Sequence, residues 1–168
     1  MSPPGPDRKA GFELGACSGD GPPEPNMTVS SIMQKPAVTI ATNATLCAAA
    51  QKMRDENVGL LPVLENDHLV GVITDRDIVV RCLAAQLSAR QCCVRDVMTC
   101  NILSCRDTDP IEAAAARMGD NQFRRLPVHD ANQVLVGVLS VDDIAEHYSE
   151  RLAGETLGEI VEARGTWL

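Results

Sequence analysis

The stretch GVITDRDIVVR, from Gly71 to Arg81, is answered by GVLSVDDIAEH, from Gly137 to His147. Both read glycine, two apolar residues, a hydroxyl residue, two variable residues, aspartate and isoleucine. A repeat constrains a fold strongly, because each copy must be one supersecondary unit and neighbouring copies must share a core. Laid on itself at an offset of 65, the chain places Met33 on Met98, Ala48-Ala49-Ala50 on Ala113-Ala114-Ala115, and Met53 on Met118. Leu61-Pro62-Val63 falls on Leu126-Pro127-Val128. The offset then becomes 66, because LENDH is answered by the longer HDANQV, and Leu69-Val70-Gly71-Val72 meets Leu135-Val136-Gly137-Val138. A single inserted residue in a turn is where a repeat tolerates drift. The repeat spans roughly 31–83 and 94–146.

Within one unit, AVTI (Ala37 to Ile40) reads as a short strand and TLCAAAQKMRDEN as a helix, with Leu46, Ala49, Ala50 and Met53 on one face. In the second copy Asp109 is the expected N-cap and Pro110 the first helical residue. The small Ala triplets let a helix lie close to a sheet, a packing role that suffices for them. GLLPVL and HLVGVIT read as strands of a hairpin around END, and DRDIVVRCLAA returns to helix. The order strand, helix, strand, strand, helix therefore occurs twice. Each unit has too little sheet to stand alone, so an α+β fold of two βαββα units packed sheet to sheet is expected. The divisions expected are a tail at 1–28, a first motif at 29–86, a linker at 87–93, a second motif at 94–149, and a C-terminal helix and tail at 150–168. In that last segment Leu157, Ile160 and Val161 have helical spacing, and Trp167 is either exposed or docked.

A hydroxyl residue followed three positions later by an acid, where a strand meets a helix, forms a capping box. Thr74 with Asp77 fits this pattern, and Ser140 with Asp143 repeats it. Capping alone accounts for such residues. The strand leading into each cap adds a second reading, because a helix N-terminus opening at a sheet edge suits phosphate. A carboxylate there suits the hydroxyls of a ribose, and Arg76 adds a cation beside Asp77.

Composition narrows the rest. The formal charge is −8, which argues against general nucleic-acid binding. Aromatics are only 2% of residues, so the core must be aliphatic. No stretch approaches the roughly 20 apolar residues of a membrane span. The N-terminus lacks the apolar region of a secretory signal, and its Pro, Gly and charge read as a disordered tail. The seven cysteines are Cys17, Cys47, Cys82, Cys92, Cys93, Cys100 and Cys105; with no C-x-x-C they read as reduced thiols in a cytoplasmic protein. A redox switch or metal at neighbouring Cys92 and Cys93 is a weaker alternative. His68, His129 and His147 have no metal-ligand spacing with the cysteines. No nucleophile–base pair or P-loop lysine appears, so no catalytic residue is expected.

The order of Met33, an Ala-Ala-x-x-Met helix, LLPVL and GVITDRDI resembles the CBS domain, named after cystathionine β-synthase. VRDVMT, AAAARM, RRLPVHD and GVLSVDDI resemble a second copy. The chain is thus similar to a stand-alone bacterial CBS pair, or Bateman module. The resemblance covers all but the N-terminal tail and about the last twenty residues. It implies two units about a pseudo-two-fold axis, and clefts for AMP, ADP, ATP, S-adenosylmethionine or dinucleotides as regulatory ligands, with no required cofactor. It places ribose recognition on Asp77 and Asp143, with Thr74 and Ser140 near phosphate or ribose. It sets Val58, Gly59, Leu60 and Pro62, and Phe123 and Pro127, beside the adenine. Thr39 and Ser104 are weaker candidates for the cleft wall. Arg124 and Arg125 of the second copy serve the other unit's ligand, form a solvated strand edge, or pair with Asp120. The copies are unequal, so unequal sites are expected. The resemblance also implies a homodimer through helices such as DIVVRCLAA and DIAEHYSERLAGETL, and a regulated partner. The alternative is a ligand-free structural or dimerisation module.

Overall fold

A computed structural model describes residues 27–162. Residues 1–26 of the tail expected at 1–28, with Cys17, and Trp167 lie outside the described residues. The first unit contains a helical turn α1 (Val29–Ile32), strand β1 (Ile40–Ala41), helix α2 (Leu46–Asp55), and strands β2 (Leu60–Glu65) and β3 (His68–Thr74). It ends in α3 (Asp75–Asp77), which runs directly into a π-helical stretch at Ile78–Leu83. The second unit begins with a 3₁₀ turn at Val94–Asp96 and continues through β4 (Cys105–Arg106) and α4 (Ile111–Asn121). Strands β5 (Arg125–His129) and β6 (Leu135–Ser140) follow, then helices α5 (Val141–His147) and α6 (Glu150–Glu162).

Each unit builds one three-stranded sheet, ordered β1-β2-β3 and β4-β5-β6. The first strand of each is parallel to the centre and the third antiparallel to it. The βαββα order expected twice is present twice. The first strand is shorter than expected and displaced: of AVTI only Ile40 is in β1.

The cap of α4 also differs. Pro110 is the N-cap and Ile111 the first helical residue. The Asp109 carboxylate instead accepts the Arg106 N–H at 3.0 Å and pairs with Arg117 at 3.1 Å. A carboxylate with a cation and an amide behind it has no need to turn forward to the helix. In α2, Leu46, Ala49 and Met53 are buried but Ala50 is exposed, whereas its counterpart Ala115 is buried. Helix α6 packs on α4 and α5 and widens the covered face there.

The units exchange their leading segments. Val29 and Ser30 donate backbone N–H bonds to Asp109 and Asp107 of the second unit, at 3.0 and 2.9 Å. Gln34 and Val138 exchange a pair of backbone bonds at 2.9 and 3.0 Å. Val29, Ile32 and Met33 accordingly lie in one core with Ile111, Leu126 and Leu139. Reciprocally, Val94 and Arg95 donate to Ala44 and Thr42, and Thr99 exchanges two bonds with Val72. Val94 and Val97 complete a core with Leu46, Leu61 and Ile73.

This exchange explains the glycine that opens the repeated phrase. A Cβ on Gly71 would stand 2.8 Å from the Met98 sulfur and 3.0 Å from the Thr99 carbonyl oxygen. A Cβ on Gly137 would stand 2.7 Å from both the Met33 sulfur and the Gln34 carbonyl oxygen. The crossing segments lie so close to the strands that a Cβ at either position would force its neighbours to shift.

Candidate functional site

Side chains alternate along a strand. Gly71 and Ile73 of β3 are buried, as are Gly137 and Leu139 of β6. The alternate residues, Val72 and Thr74 or Val138 and Ser140, border cavities. Both capping boxes form. The Thr74 hydroxyl accepts the Asp77 N–H at 3.1 Å. Asp77 Oδ2 in return accepts the Thr74 N–H at 3.0 Å and the Thr74 hydroxyl at 2.7 Å. Ser140 and Asp143 repeat these bonds at 3.1, 2.7 and 2.6 Å.

The cap therefore occupies one carboxylate oxygen, Oδ2, and leaves the other for different partners. Asp143 Oδ1 accepts the Gln34 side-chain amide at 3.3 Å. Asp77 Oδ1 pairs with the Arg81 guanidinium at 3.3 Å. Asp143 is buried, with 5% of its surface exposed, and these bonds offset the cost of taking a carboxylate out of water. Each Oδ1 retains acceptor capacity for a donor arriving in the cavity.

Two cavities form around these acids. One, of about 350 Å³, is bordered by Ser140 and Asp143 of the second unit, by Val58 and Leu60 of the first, and by the crossing segment through Gln34 and Val38. The other, of about 300 Å³, is bordered by Thr74 and Asp77 of the first unit, by Phe123 and Pro127 of the second, and by Thr99 and Leu103. These volumes sit at the lower end of the range for small-molecule sites, roughly 300–1,000 Å³. The borders correspond under the repeat: Gln34 to Thr99, Val38 to Leu103, Val58 to Phe123. Each cleft takes its acid from one unit and its apolar wall from the other. A third, more open cavity of about 430 Å³ lies beside them, with Gly59, Arg76, Gln122 and Arg124 on its border.

Most expected site residues border a cavity, but not as one group. Thr74, Asp77, Phe123 and Pro127 border the Asp77 cleft, and Val58, Ser140 and Asp143 the other. Gly59, Arg76 and Arg124 border the open cavity. Leu60 and Arg125 border all three. Arg125 pairs with Asp142 at 3.8 Å, and no ion pair joins Arg124 or Arg125 to Asp120 among the described residues. Thr39, Ser104 and Pro62 border none of the three. The crossing segments line the clefts with Ala37, Val38, Ile102 and Leu103, before the chain reaches Thr39 or Ser104. Pro62 is buried two residues past Leu60 along β2.

Sequence reasoning missed Gln34, Asn57, Arg81, Thr99 and Asp142. The aligned repeat puts Gln34 against Thr99, but nothing local says that either segment crosses to the other unit. Among the described residues, no group of three or more His, Cys, Asp or Glu could hold a metal ion. No helix of the described residues is long and apolar enough to cross a membrane.

A family model described as CBS domain matches residues 29–83 and 94–150. The CBS domain-containing protein YhcV of Bacillus subtilis is 37% identical over 134 residues, covering 79% of this chain and 94% of that protein. Hypoxic response protein 1 of Mycobacterium tuberculosis is 35% identical over 124 residues, covering 73% of this chain and 86% of its own. Those coverages leave no length in either relative for a separate catalytic domain. Its crystal structure, described with two coordinated zinc ions, superposes with a TM-score of 0.66 at 34% identity, over 72% of this chain and 98% of that one. The crystal structure of the CBS domain pair of protein MJ0100, in complex with 5′-methylthioadenosine and S-adenosyl-L-methionine, gives a TM-score of 0.66 at 28% identity. It covers 78% of this chain and 98% of that one.

Proposed function

The chain belongs to the CBS-domain family, and from that membership and its paired clefts we propose that it is a non-catalytic regulatory module binding adenosine-containing ligands. AMP, ADP, ATP, S-adenosylmethionine and dinucleotides are the class. The observation that carries this reading is the division of labour in each aspartate. Oδ2 of Asp77 and of Asp143 is fixed by its cap, which aims Oδ1 as an acceptor for a ribose hydroxyl. The apolar wall opposite, with Phe123 in one cleft and Val58 in the other, suits a flat base. The ligands of the MJ0100 pair are adenosyl compounds, which supports the same class here.

Because each cleft draws on both units, a bound ligand ties one unit to the other. A ligand that prefers one arrangement of the units shifts the chain toward it, and a partner protein reads that arrangement. Val79, Val80 and Leu83 are more than half exposed on the π-helical turn. They provide an apolar face for a homodimer, and they are what favours the alternative of a ligand-free dimerisation module.

Calorimetric titration of the purified chain with AMP, ATP and S-adenosylmethionine separates the readings. Saturable heat with at least one of them, lost when Asp77 and Asp143 are both changed to alanine, is expected. No heat with any of them, together with a stable dimer, would establish the alternative.

A further inference from the structure

The two clefts correspond under the repeat but differ at several positions, and one of those differences places a charge on the border they share. Leu60 opens β2 and its counterpart Arg125 opens β5. Both border the Asp143 cleft, the Asp77 cleft and the open cavity, so this pair stands where the three meet. The approximate two-fold axis therefore has a cation on one side and an aliphatic side chain on the other.

Arg125 is the only cation among the residues bordering the Asp143 cleft. The Asp77 cleft has Arg81 as well, but that guanidinium is committed. It donates to the Val97 carbonyl at 2.7 Å and the Thr99 hydroxyl at 3.1 Å, and it pairs with Asp77 at 3.3 Å. Among the described residues Arg125 has one loose ion-pair partner, Asp142, at 3.8 Å with the carboxylate side chain 85% exposed. Its Nη1 lies 3.7 Å from where a Cβ on Gly59 would stand, close to the first unit. One weakly held guanidinium thus faces both clefts.

We propose that Arg125 couples the clefts: it serves whichever cleft first holds an anionic ligand, so that binding of a second such ligand is weakened. This rests on the adenosine-ligand reading above. A phosphate in the second cleft would lie near Asp77 or Asp143, would find no other uncommitted cation among the described residues bordering that cleft, and would face the first phosphate. An uncharged nucleoside makes no demand on Arg125, so two of them bind independently. A ligand of this class is then sensed by its charge as well as by its base.

The test is calorimetric titration of the full chain with AMP and with adenosine. Asp77→Ala and Asp143→Ala each leave one cleft, and so report that cleft's own affinity. Asp→Asn versions, which keep the cap acceptor, replace either one that does not fold. In the parent, the second AMP is expected to bind at least about 5-fold more weakly than its cleft does alone. For adenosine, and for AMP in an Arg125→Leu background, that ratio is expected to be about 1. A ratio of 1 for AMP in the parent, or coupling that survives Arg125→Leu, overturns the proposal while nucleoside binding stands. Binding of neither compound overturns both readings.

Discussion

The two acids that matter most are also among the most local features of the chain. A hydroxyl three residues before a carboxylate is visible in any sequence window, and the structure has both capping boxes, at Thr74 with Asp77 and Ser140 with Asp143. The glycines of the same phrase were visible, but their reason was not. Gly71 and Gly137 are needed because a distant segment crosses them, and spacing along the chain carries no trace of that contact. Gly137→Ala is expected to destabilise by about 1–3 kcal/mol through overpacking. Gly71→Ala should cost less, since its backbone neighbour is 3.0 Å away rather than 2.7 Å. Urea midpoints of the two variants check both the loss and the order. A second residue-scale expectation concerns pH. Burial pushes the Cys105 thiol up to about 12. In the unfolded chain a thiol ionises near 8.5, so the folded state holds the extra proton between those values. The stability tied to Cys105 is full below about pH 8.5 and falls as pH rises toward 12. Denaturation midpoints measured upward from pH 8 should decline, and less so in Cys105→Ala.

At the scale of elements, most helices and strands were readable because their patterns are short. HLVGVIT is β3 to the residue. The helix expected from DRDIVVRCLAA is α-helical only over Asp75–Asp77 and π-helical from Ile78 to Leu83. Hydrophobic spacing does not distinguish those two windings over six residues. The exchange of leading segments was not readable at all. A repeat looks the same whether each copy completes itself or its neighbour, and only long-range contacts choose between them. Removing residues 1–36 would leave every strand in place yet strip Val29, Ile32 and Met33 from the second unit's core. Amide exchange in that shortened chain should accelerate in β5 and β6 more than in β2 and β3; equal protection in both sheets would contradict the exchange. Helix α6 was expected from Leu157, Ile160 and Val161, and it buries Ala153, Thr156 and Ile160 with Val161 exposed. Ending the chain at Ser149 should uncover the α4 and α5 faces and increase binding of a hydrophobic dye.

For the molecule as a whole, an approximate two-fold relates clefts that differ in their walls. Phe123 borders the Asp77 cleft where Val58 borders the other, so a purine gains an aromatic neighbour in one cleft only. Phe123→Ala is expected to weaken the Asp77 cleft by about 1–3 kcal/mol, and Val58→Ala to weaken its own cleft by less. Stepwise affinities from calorimetry distinguish the two. The charge of −8 fits this reading, since anion recognition then falls to a few placed arginines and not to a basic surface. The central claim is that Asp77 and Asp143 each hold the sugar of an adenosine compound. Native mass spectrometry of the intact chain incubated with adenosine tests it most directly. Two added adenosine masses are predicted for the parent, one for either single Asp→Ala variant and none for the double variant. Equal adenosine occupancy in a folded double variant and the parent would contradict it.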